Sequence, residues 1–378
     1  MRGVQSSGGT FNVNDYGAKG SGDISQAVMK AWEAACASPG PSTVLIPTGN
    51  YIMGEVLLEG PCKGSKIGFQ LDGVVKAPAD VSAFKSEGWV VFNHVDGLTV
   101  SGKGTFDGQG QKAWAANNCD KDENCNRPPM NIRFNFLKNA VVRDITSMNS
   151  KMFHINVLEC DNISFQHVTI SAPGTSINTD GIHIGLSRGV TITDTNIATG
   201  DDCVSIGPGS QNVTVTKVNC GPGHGISVGS LGKYKDEKDV RGITVTGCTF
   251  TGTSNGVRVK TWPDSPPGVA TDMAFEDLTM KNVQNPVILD QEYCPYGQCS
   301  LKAPSRVKLS NIKFNNIRGT SSGPDAIVIA CSHGFPCSNL EIGEINLALH
   351  AAGAPANSTC TNAKPIFSGK QVPAIKCA

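Results

Sequence analysis

Three segments of the chain repeat one pattern: VTVTKVNC at residues 213–220, ITVTGCTF at 243–250 and MAFEDLTM at 273–280. Each has apolar residues at its start and at the +2, +5 and +7 positions. Because side chains of a strand alternate between two faces, this pattern predicts strands with one buried face. The starts of the units, 23 to 34 residues apart, are typical of a β-solenoid with variable loops. Four more units, one of them with Thr195 in an apolar slot, begin at Ile163, Val190, Val307 and Leu340.

A further alternating strand follows in most units. Its inner residues come in pairs: Ile155/Val157, Ile182/Ile184, Val204/Ile206, Ile226/Val228, Val257/Val259, Val287/Leu289 and Ile327/Ile329. Stacked coil on coil, such strands would be parallel and about 4.8 Å apart. The pattern predicts an all-β fold, a single right-handed parallel β-helix that forms one domain over residues 1–378. A β-sandwich would also place a turn about every 8–12 residues, but it gives no reason for the long repeat.

Two segments differ from the repeat. Residues 24–36 have apolar side chains at helical spacing, and Asp23 is a candidate cap. A short N-terminal capping helix would cover the open end of a solenoid; the alternative is a helix packed on an ordinary sheet. Residues 107–137 are polar and contain Cys119 and Cys125. They predict a long loop, either a wall of a cleft or a surface excursion held by a disulfide.

Composition narrows the class of protein. A net charge of zero argues against a nucleic-acid partner, and no apolar run is long enough for a membrane span. Fourteen cysteines and three glycosylation sequons, at Asn162, Asn212 and Asn357, indicate an oxidising compartment. The first twenty residues lack the apolar region of a signal peptide, so we expect a secreted protein in its mature form.

Polar residues recur at one slot of successive coils. Asp180, Asp202 and His224 each stand two residues before the first inner residue of a strand, and Asp201 stands one residue earlier. The register therefore predicts a column of three side chains with Asp201 set apart. The column needs a bend before each strand, which the glycines at 200, 223 and 225 can provide. The outward slot of the same strands carries His183, Ser205, Ser227 and Arg258, followed by Lys260 and, one coil later, Tyr293.

Clustered carboxylates of this kind suit glycoside hydrolysis. One carboxylic acid protonates the leaving oxygen, and a second carboxylate acts as base or nucleophile. Neighbouring carboxylates also raise one pKa, which keeps one of them protonated. A calcium site is the other chemical reading of an aspartate cluster. Arg258 and Lys260 weigh against calcium and suit an anionic sugar instead.

Four motifs in this region resemble the signatures of the polygalacturonases, family 28 of the glycoside hydrolases. They are SINTDGIH at 176–183, TGDDCVSI at 199–206, CGPGHGISVGS at 220–230 and GVRVKTW at 256–262. The resemblance extends from FNVNDYGAKG at 11–20, as in plant members, to PVILDQEYC at 286–294. The chain is most similar to the exopolygalacturonases of grass pollen, some of which are allergens. Residues 20–27 are less acidic than the same stretch of many plant relatives. This departure concerns the end of the solenoid that the predicted helix would cap.

The resemblance implies the pectin-lyase-like β-helix and hydrolysis of α-1,4 bonds between galacturonic acids with inversion. It implies no metal and no cofactor. It makes Asp201 the general acid, Asp180 and Asp202 the pair that activates water, and His224 the support of the acid. Substrate-binding positions are Asn178, Arg258, Lys260 and Tyr293. His183 is an addition from the register, although a structural histidine is the stronger interpretation there.

Cysteine spacing and the same resemblance suggest six disulfides. Cys119/Cys125, Cys294/Cys299 and Cys331/Cys337 are close in sequence, the family suggests Cys203/Cys220, and Cys36/Cys62 and Cys360/Cys377 are plausible pairs. Cys160 and Cys248 remain, and Cys248 takes a core slot of the repeat. We therefore expect Cys248 to be a free, buried thiol.

The expected activity is exo-cleavage of homogalacturonan or its oligogalacturonides by a secreted monomer that loosens plant and pollen cell walls. An endo-acting enzyme is the first alternative. A lyase on the same fold and a catalytically silent wall-binding protein are more remote ones. Exo action requires that one end of the groove is blocked, for which residues 107–137 and 232–241 are the candidate loops.

Overall fold

The computed structural model describes residues 9–20, 22–119, 125, 127–297, 299–350 and 356–378. The chain divides into two compact units, Met1–Ile182 and His183–Ala378, which are described one at a time. In the described residues, the longest helix has thirteen residues, and no helix is long and apolar enough to cross a membrane. Most elements of both units are short strands in parallel sheets, so the predicted all-β fold of parallel coils is confirmed. A single domain over 1–378 stays a prediction.

In the first unit, three stacks of parallel strands follow one another around each coil. Its helices are α1 (Ser25–Ala37) and α2 (Gln111–Ala116), with 3-10 turns at Val13–Tyr16 and Val81–Ala83. Its strands are β1 (Gly9–Asn12), β2 (Ser42–Ile46), β3 (Asn50–Ile52), β4 (Val56–Glu59), β5 (Ile67–Leu71), β6 (Val74–Lys76), β7 (Gly88–Asn93), β8 (Leu98–Ser101), β9 (Thr105–Asp107), β10 (Met130–Asn135), β11 (Lys138–Arg143), β12 (Thr146–Met148), β13 (Ile155–Leu158), β14 (Asp161–Gln166) and β15 (Thr169–Ser171).

The second unit follows the same plan, and the unit boundary falls after the first residue of β16. A 3-10 turn spans Pro295–Gly297. The strands are β16 (Ile182–Gly185), β17 (Arg188–Thr193), β18 (Asn196–Ala198), β19 (Val204–Ile206), β20 (Gln211–Thr216), β21 (Asn219–Cys220), β22 (Ile226–Leu231), β23 (Val240–Thr246), β24 (Thr249–Thr251), β25 (Asn255–Thr261), β26 (Gly268–Val283), β27 (Asn285–Asp290), β28 (Val307–Ser321), β29 (Asp325–Ala330), β30 (Ser338–Ile342), β31 (Ile345–Leu349), β32 (Asn357–Thr361), β33 (Ile366–Phe367) and β34 (Gln371–Val372).

The +2 to +5 step of the repeat marks a corner of the coil. An odd step would turn a side chain of a regular strand outward. At the +4 position, Lys217 has a φ of 53° and Asp277 a φ of 55°, and Gly247 has a φ of 65°. This left-handed residue turns the chain, and the next inner side chain points into the core again. The predicted first strand is therefore two strands in most coils, for example β20 and β21.

The core lies inside the coils and is made of the predicted inner residues. In the second unit, the β20–β21 pattern residues Val213, Val215, Val218 and Cys220 are all buried. Phenylalanines add aromatic stacks, with the Phe275 and Phe314 ring centroids 5.1 Å apart. Such neighbour-to-neighbour contacts between identical slots are how a solenoid stabilises itself without a single globular core.

The predicted N-terminal helix is α1, which begins and ends one residue later than expected. It contacts β1, β2 and β4 of the first coils, and the Trp32 indole donates a hydrogen bond to the Glu59 carbonyl oxygen at 3.0 Å. The N-cap residue is Ile24, so the prediction for Asp23 was wrong by one position. Asp23 still accepts a hydrogen bond from the first helical amide, that of Ser25, at 2.8 Å.

The predicted loop at 107–137 is shorter than expected, because α2 and the whole of β10 lie inside it. Residues 120–124 and 126 are outside the described part. Cys119 and Cys125 form a disulfide. The other five disulfides pair Cys36 with Cys62, Cys203 with Cys220, Cys294 with Cys299, Cys331 with Cys337 and Cys360 with Cys377. Cys160 and Cys248 are buried thiols, as expected for Cys248.

Candidate active site

Two tight turns deliver the acidic cluster of the second unit. Asp201 and Asp202 precede β19, and His224 precedes β22. Gly223 and Gly225 have φ angles of 152° and 88°. A Cβ on Gly223 would lie 2.9 Å from the Asp201 carbonyl oxygen, so only glycine fits this approach. The predicted bend before the strands is confirmed for Asp202 and His224.

Asp202 is a buried carboxylate held by cations. Its Oδ1 accepts hydrogen bonds from Ser227 Oγ at 2.7 Å and from Arg258 at 3.2 Å, and its Oδ2 accepts one from Lys260 Nζ at 3.2 Å. Burial by itself would raise the pKa of Asp202. The charges of Lys260 and Arg258 outweigh burial and hold that pKa below its ordinary value. Asp202 is therefore an ionised base over the whole neutral and mildly acidic range.

Asp201, which the register sets apart from Asp202, has a different partner. Its Oδ1 lies 3.0 Å from His224 Nδ1, and the His224 amide donates to the Asp201 carbonyl oxygen at 2.7 Å. The hydrogen bond that the imidazolium of His224 donates to Asp201 raises the pKa of His224 above its ordinary value. The Asp201 side chain is 22% exposed, against 3% for Asp202. Asp201 is thus the carboxyl group of this pair that a substrate can reach.

The ligand atoms of Asp201, Asp202 and His224 lie within 4.8 Å of one another, close enough to surround a metal ion. The buried Asp202 already has two cations at hydrogen-bond distance. A calcium ion would have to replace them, because it prefers a shell of oxygen ligands. The donor set therefore favours a carboxylate neutralised by side chains over a calcium site.

The cations belong to β25 and extend the site by one coil. Arg258 lies opposite Ser227 of β22 in the strand register, and Lys260 lies opposite Asp290 of β27. The Tyr293 ring covers both cations, with its centroid 5.9 Å from Arg258 Cζ and 5.3 Å from Lys260 Nζ. The structure thus brings together six of the predicted site residues: Asp201, Asp202, His224, Arg258, Lys260 and Tyr293.

His183 lies in the outward slot of β16. Its Nδ1 is 2.8 Å from Ser205 Oγ, and Ser205 lies opposite Ser227 in the register of β19 and β22. The predicted outward row from Ser205 to Arg258 is therefore confirmed. A link from the imidazole to a serine hydroxyl is compatible with the structural interpretation of His183.

Asn178 and Asp180 lie in the first unit. Asn178 has a φ of 54°, and its Oδ1 accepts a hydrogen bond from Asn117 Nδ2 at 3.1 Å. Asn117 directly follows α2, so this part of the 107–137 segment contacts a predicted substrate-binding residue. Asp180 is buried, and its carbonyl oxygen accepts a hydrogen bond from the His154 amide at 2.8 Å. That Asp180 works together with Asp202 stays a prediction.

Three residues near the cluster were missed by sequence reasoning. Asp290 lies beside Lys260, and burial raises its pKa above the ordinary value. The register of β25 and β27 could have indicated this pair. Glu237 and Trp262 were also given no role. Trp262 is the last residue of the fourth motif, whereas Glu237 accepts hydrogen bonds from main-chain amides, which leave no sequence pattern.

Comparison with known proteins identifies the family of the chain. Residues 36–372 match the model of the glycosyl hydrolases family 28. An exopolygalacturonase of Platanus acerifolia is 79% identical over 377 residues, 100% of both chains. An exopolygalacturonase of Oenothera organensis is 53% identical over 93% of this chain and 98% of its own.

Solved structures share the fold at low identity. An endo-xylogalacturonan hydrolase from Aspergillus tubingensis has a TM-score of 0.76 and 24% identity over 98% of both chains. An exopolygalacturonase from Thermotoga maritima has a TM-score of 0.74 and 18% identity, over 96% of this chain and 90% of its own. At these identities the likeness concerns the fold alone.

Proposed function

The chain belongs to family 28 of the glycosyl hydrolases and is a polygalacturonase, and we propose that it removes galacturonic acid from the non-reducing end of de-esterified pectin. The observation that carries this proposal is the division between Asp201 and Asp202. One carboxyl group is accessible and bonded to a histidine, and its neighbour is buried and ionised by two cations. Hydrolysis of a glycosidic bond needs an acid and a base in such different environments.

In the proposed mechanism, Asp201 protonates the oxygen of the leaving sugar. His224 holds the Asp201 carboxyl group in place through the 3.0 Å contact. Asp202, paired with Asp180, activates a water that attacks the anomeric carbon from the opposite face, with inversion. The surrounding cations keep Asp202 charged, so that its carboxylate can take up the proton that this water releases.

The cations also suit the substrate. Galacturonate carries one carboxylate per sugar, and Arg258 presents a planar guanidinium that can bind it through two hydrogen bonds. We propose that Arg258 and Lys260 share their donors between Asp202 and the substrate carboxylate. Tyr293 forms a wall beside them, and Asn178 contacts the sugar hydroxyls. His183 would contribute at the edge, held by Ser205.

Exo action is supported by the contact between Asn117 and Asn178. A segment that rests on a substrate-binding asparagine would stop a polymer from continuing past it, and the Cys119–Cys125 disulfide limits the freedom of that segment. The identity with two exopolygalacturonases points the same way. We further propose a secreted monomer of the plant cell wall, in keeping with six disulfides and a plant relative at 79% identity.

The products formed early on polygalacturonate test the proposal. We expect galacturonic acid to appear first, with little loss of viscosity, because each cut removes one terminal sugar. A ladder of oligomers from the start would overturn exo action. Activity that resists a chelator and forms no ultraviolet-absorbing unsaturated product would exclude a lyase. An absence of new reducing ends would leave only the silent wall-binding protein.

A further inference from the structure

Contacts between cationic and aromatic side chains continue beyond Lys260. The Tyr293 ring, which covers Lys260, is 5.6 Å from the Trp262 ring in an edge-to-face arrangement. Lys233 Nζ lies 5.1 Å from the Trp262 ring centroid and 5.6 Å from that of Tyr234. Tyr293 therefore links Lys260 of the candidate active site to these further side chains. We refer to Lys233, Tyr234 and Trp262 as the Lys233 strip.

The strip is held in place by one carboxylate. Glu237 Oε2 accepts a hydrogen bond from the Gly232 amide at 2.6 Å, and Oε1 accepts from the amides of Lys233 and Tyr234, both at 2.9 Å. Three successive amides around an anion form a compact nest. These hydrogen bonds within the segment between β22 and β23 hold its main chain in a defined conformation, although Tyr234 is 62% exposed.

The side chains of the strip match the chemistry of an acidic sugar. The ammonium group of Lys233 is exposed and can pair with a carboxylate. The rings of Trp262 and Tyr234 offer apolar surface to the C–H face of a sugar, and the exposed Tyr234 adds a hydroxyl that can reach the sugar hydroxyls. An ammonium group held over two rings keeps a defined position before a ligand arrives, which lowers the cost of ordering it.

We propose that the Lys233 strip binds the galacturonate unit next to the one held by Arg258 and Lys260. This inference rests on the proposed function. If the enzyme removes one terminal sugar per cut, every other sugar lies on the leaving-group side. The first sugar then lies at Asp201, the second at Arg258 and Lys260, and the third at the strip. The strip should therefore matter for a trimer and be out of reach of a dimer.

The test compares digalacturonate with trigalacturonate. We expect Lys233→Gln to lower kcat/KM on the trimer by about three- to fivefold, the range of an exposed ion pair, and to leave the dimer unchanged. Lys233→Arg should keep most of the trimer activity because it keeps the charge. Lys235→Gln, an exposed lysine of the same segment, is the matched control. Equal losses on both substrates, or none on the trimer, would overturn the proposal.

Binding separates this proposal from the proposed function. Calorimetry with Asp201→Asn as the background measures trigalacturonate affinity without turnover. Loss of affinity on adding Lys233→Gln supports the strip even if the native enzyme hydrolyses neither oligomer, a result that would reject only the proposed function. Glu237→Gln should weaken trimer binding in the same direction, because it loosens the nest that positions Lys233. Unchanged trimer affinity in both variants would reject the strip.

Discussion

Two stacks of the second unit are both built from parallel strands, but one repeats its residue types from coil to coil and the other changes them. In the stack of β17, β20 and β23, the central slots repeat their residue type from coil to coil. In the stack of β19, β22 and β25, the outward slot changes from Ser205 to Ser227 to Arg258. The repeated slots of the first stack are Val190, Val213 and Ile243 on the inner face, and Thr191, Thr214 and Thr244 on the outer face.

The difference shows how a solenoid separates stability from catalysis. Repetition lets each coil pack on the next with the same contacts, and stability adds up from neighbour to neighbour. Variation in one stack brings unlike side chains 22 to 58 residues apart in sequence within hydrogen-bond distance, as for Lys260 and Asp202. Substitutions in the repeating stack should change stability, and substitutions in the varying stack should change the reaction.

The largest effect should come from Asp201→Asn. An amide cannot donate the acid proton, and we expect activity on polygalacturonate to fall by about 10³-fold or more. The melting temperature should stay close to that of the native enzyme, because Asp201 lies in the turn before β19 and outside the repeating stack. Reducing-sugar release and thermal unfolding measure the two quantities.

Asp194→Asn is the matched control for this substitution. Asp194 is an exposed aspartate at a corner of the coil with a φ of 48°, a conformation that asparagine accepts well. It should leave activity unchanged. Asp201→Asn with about a tenth of the native activity would contradict the assignment of the acid.

The repeat made the buried side of the strands predictable, because apolar periodicity depends only on the alternation of side chains. The corners were not predictable, because residues such as Lys217 adopt a left-handed conformation that their type does not indicate. Among site residues, register alone placed Asp202 level with His224. It could not show that Arg258 and Lys260 turn towards Asp202, since long side chains reach several neighbours and tertiary packing selects one.

The repeating stacks can be tested by Phe275→Ala. Phe275 is fully buried and stacks on Phe314, so its truncation leaves a cavity between two coils. We expect a loss of about 3–5 kcal/mol in the free energy of unfolding, with little change in kcat below the melting transition. The outward-facing Thr244→Ala should change stability by less than about 0.5 kcal/mol. A large loss of kcat in folded Phe275→Ala would show that the two regions are coupled.

The smallest expected effect is a change of stability with pH, to which His224 and Asp202 contribute in opposite directions. The pKa of His224 is raised by its hydrogen bond to Asp201, and that of Asp202 is lowered by Lys260 and Arg258 against burial. The proton on His224 is bound more tightly in the folded protein. Its contribution to stability is therefore complete below its ordinary value of 6.5 and is lost as pH rises through the raised pKa. The charge of Asp202 contributes above 3.8 and is lost as pH falls through the lowered pKa.

Activity should be limited by the lowered pKa of Asp202 on the acid side and by the raised pKa of His224 on the alkaline side, with a mildly acidic optimum between them. Below it, protonation of Asp202 removes the base; above it, His224 loses the proton that it shares with Asp201. His224→Gln keeps a hydrogen-bond donor that does not titrate, so we expect a lower kcat and a descending limb that moves to higher pH. His167→Gln, which replaces an exposed histidine in the first unit, should leave the pH profile unchanged. If the limb of His224→Gln stays where the native enzyme has it, the limb does not belong to His224.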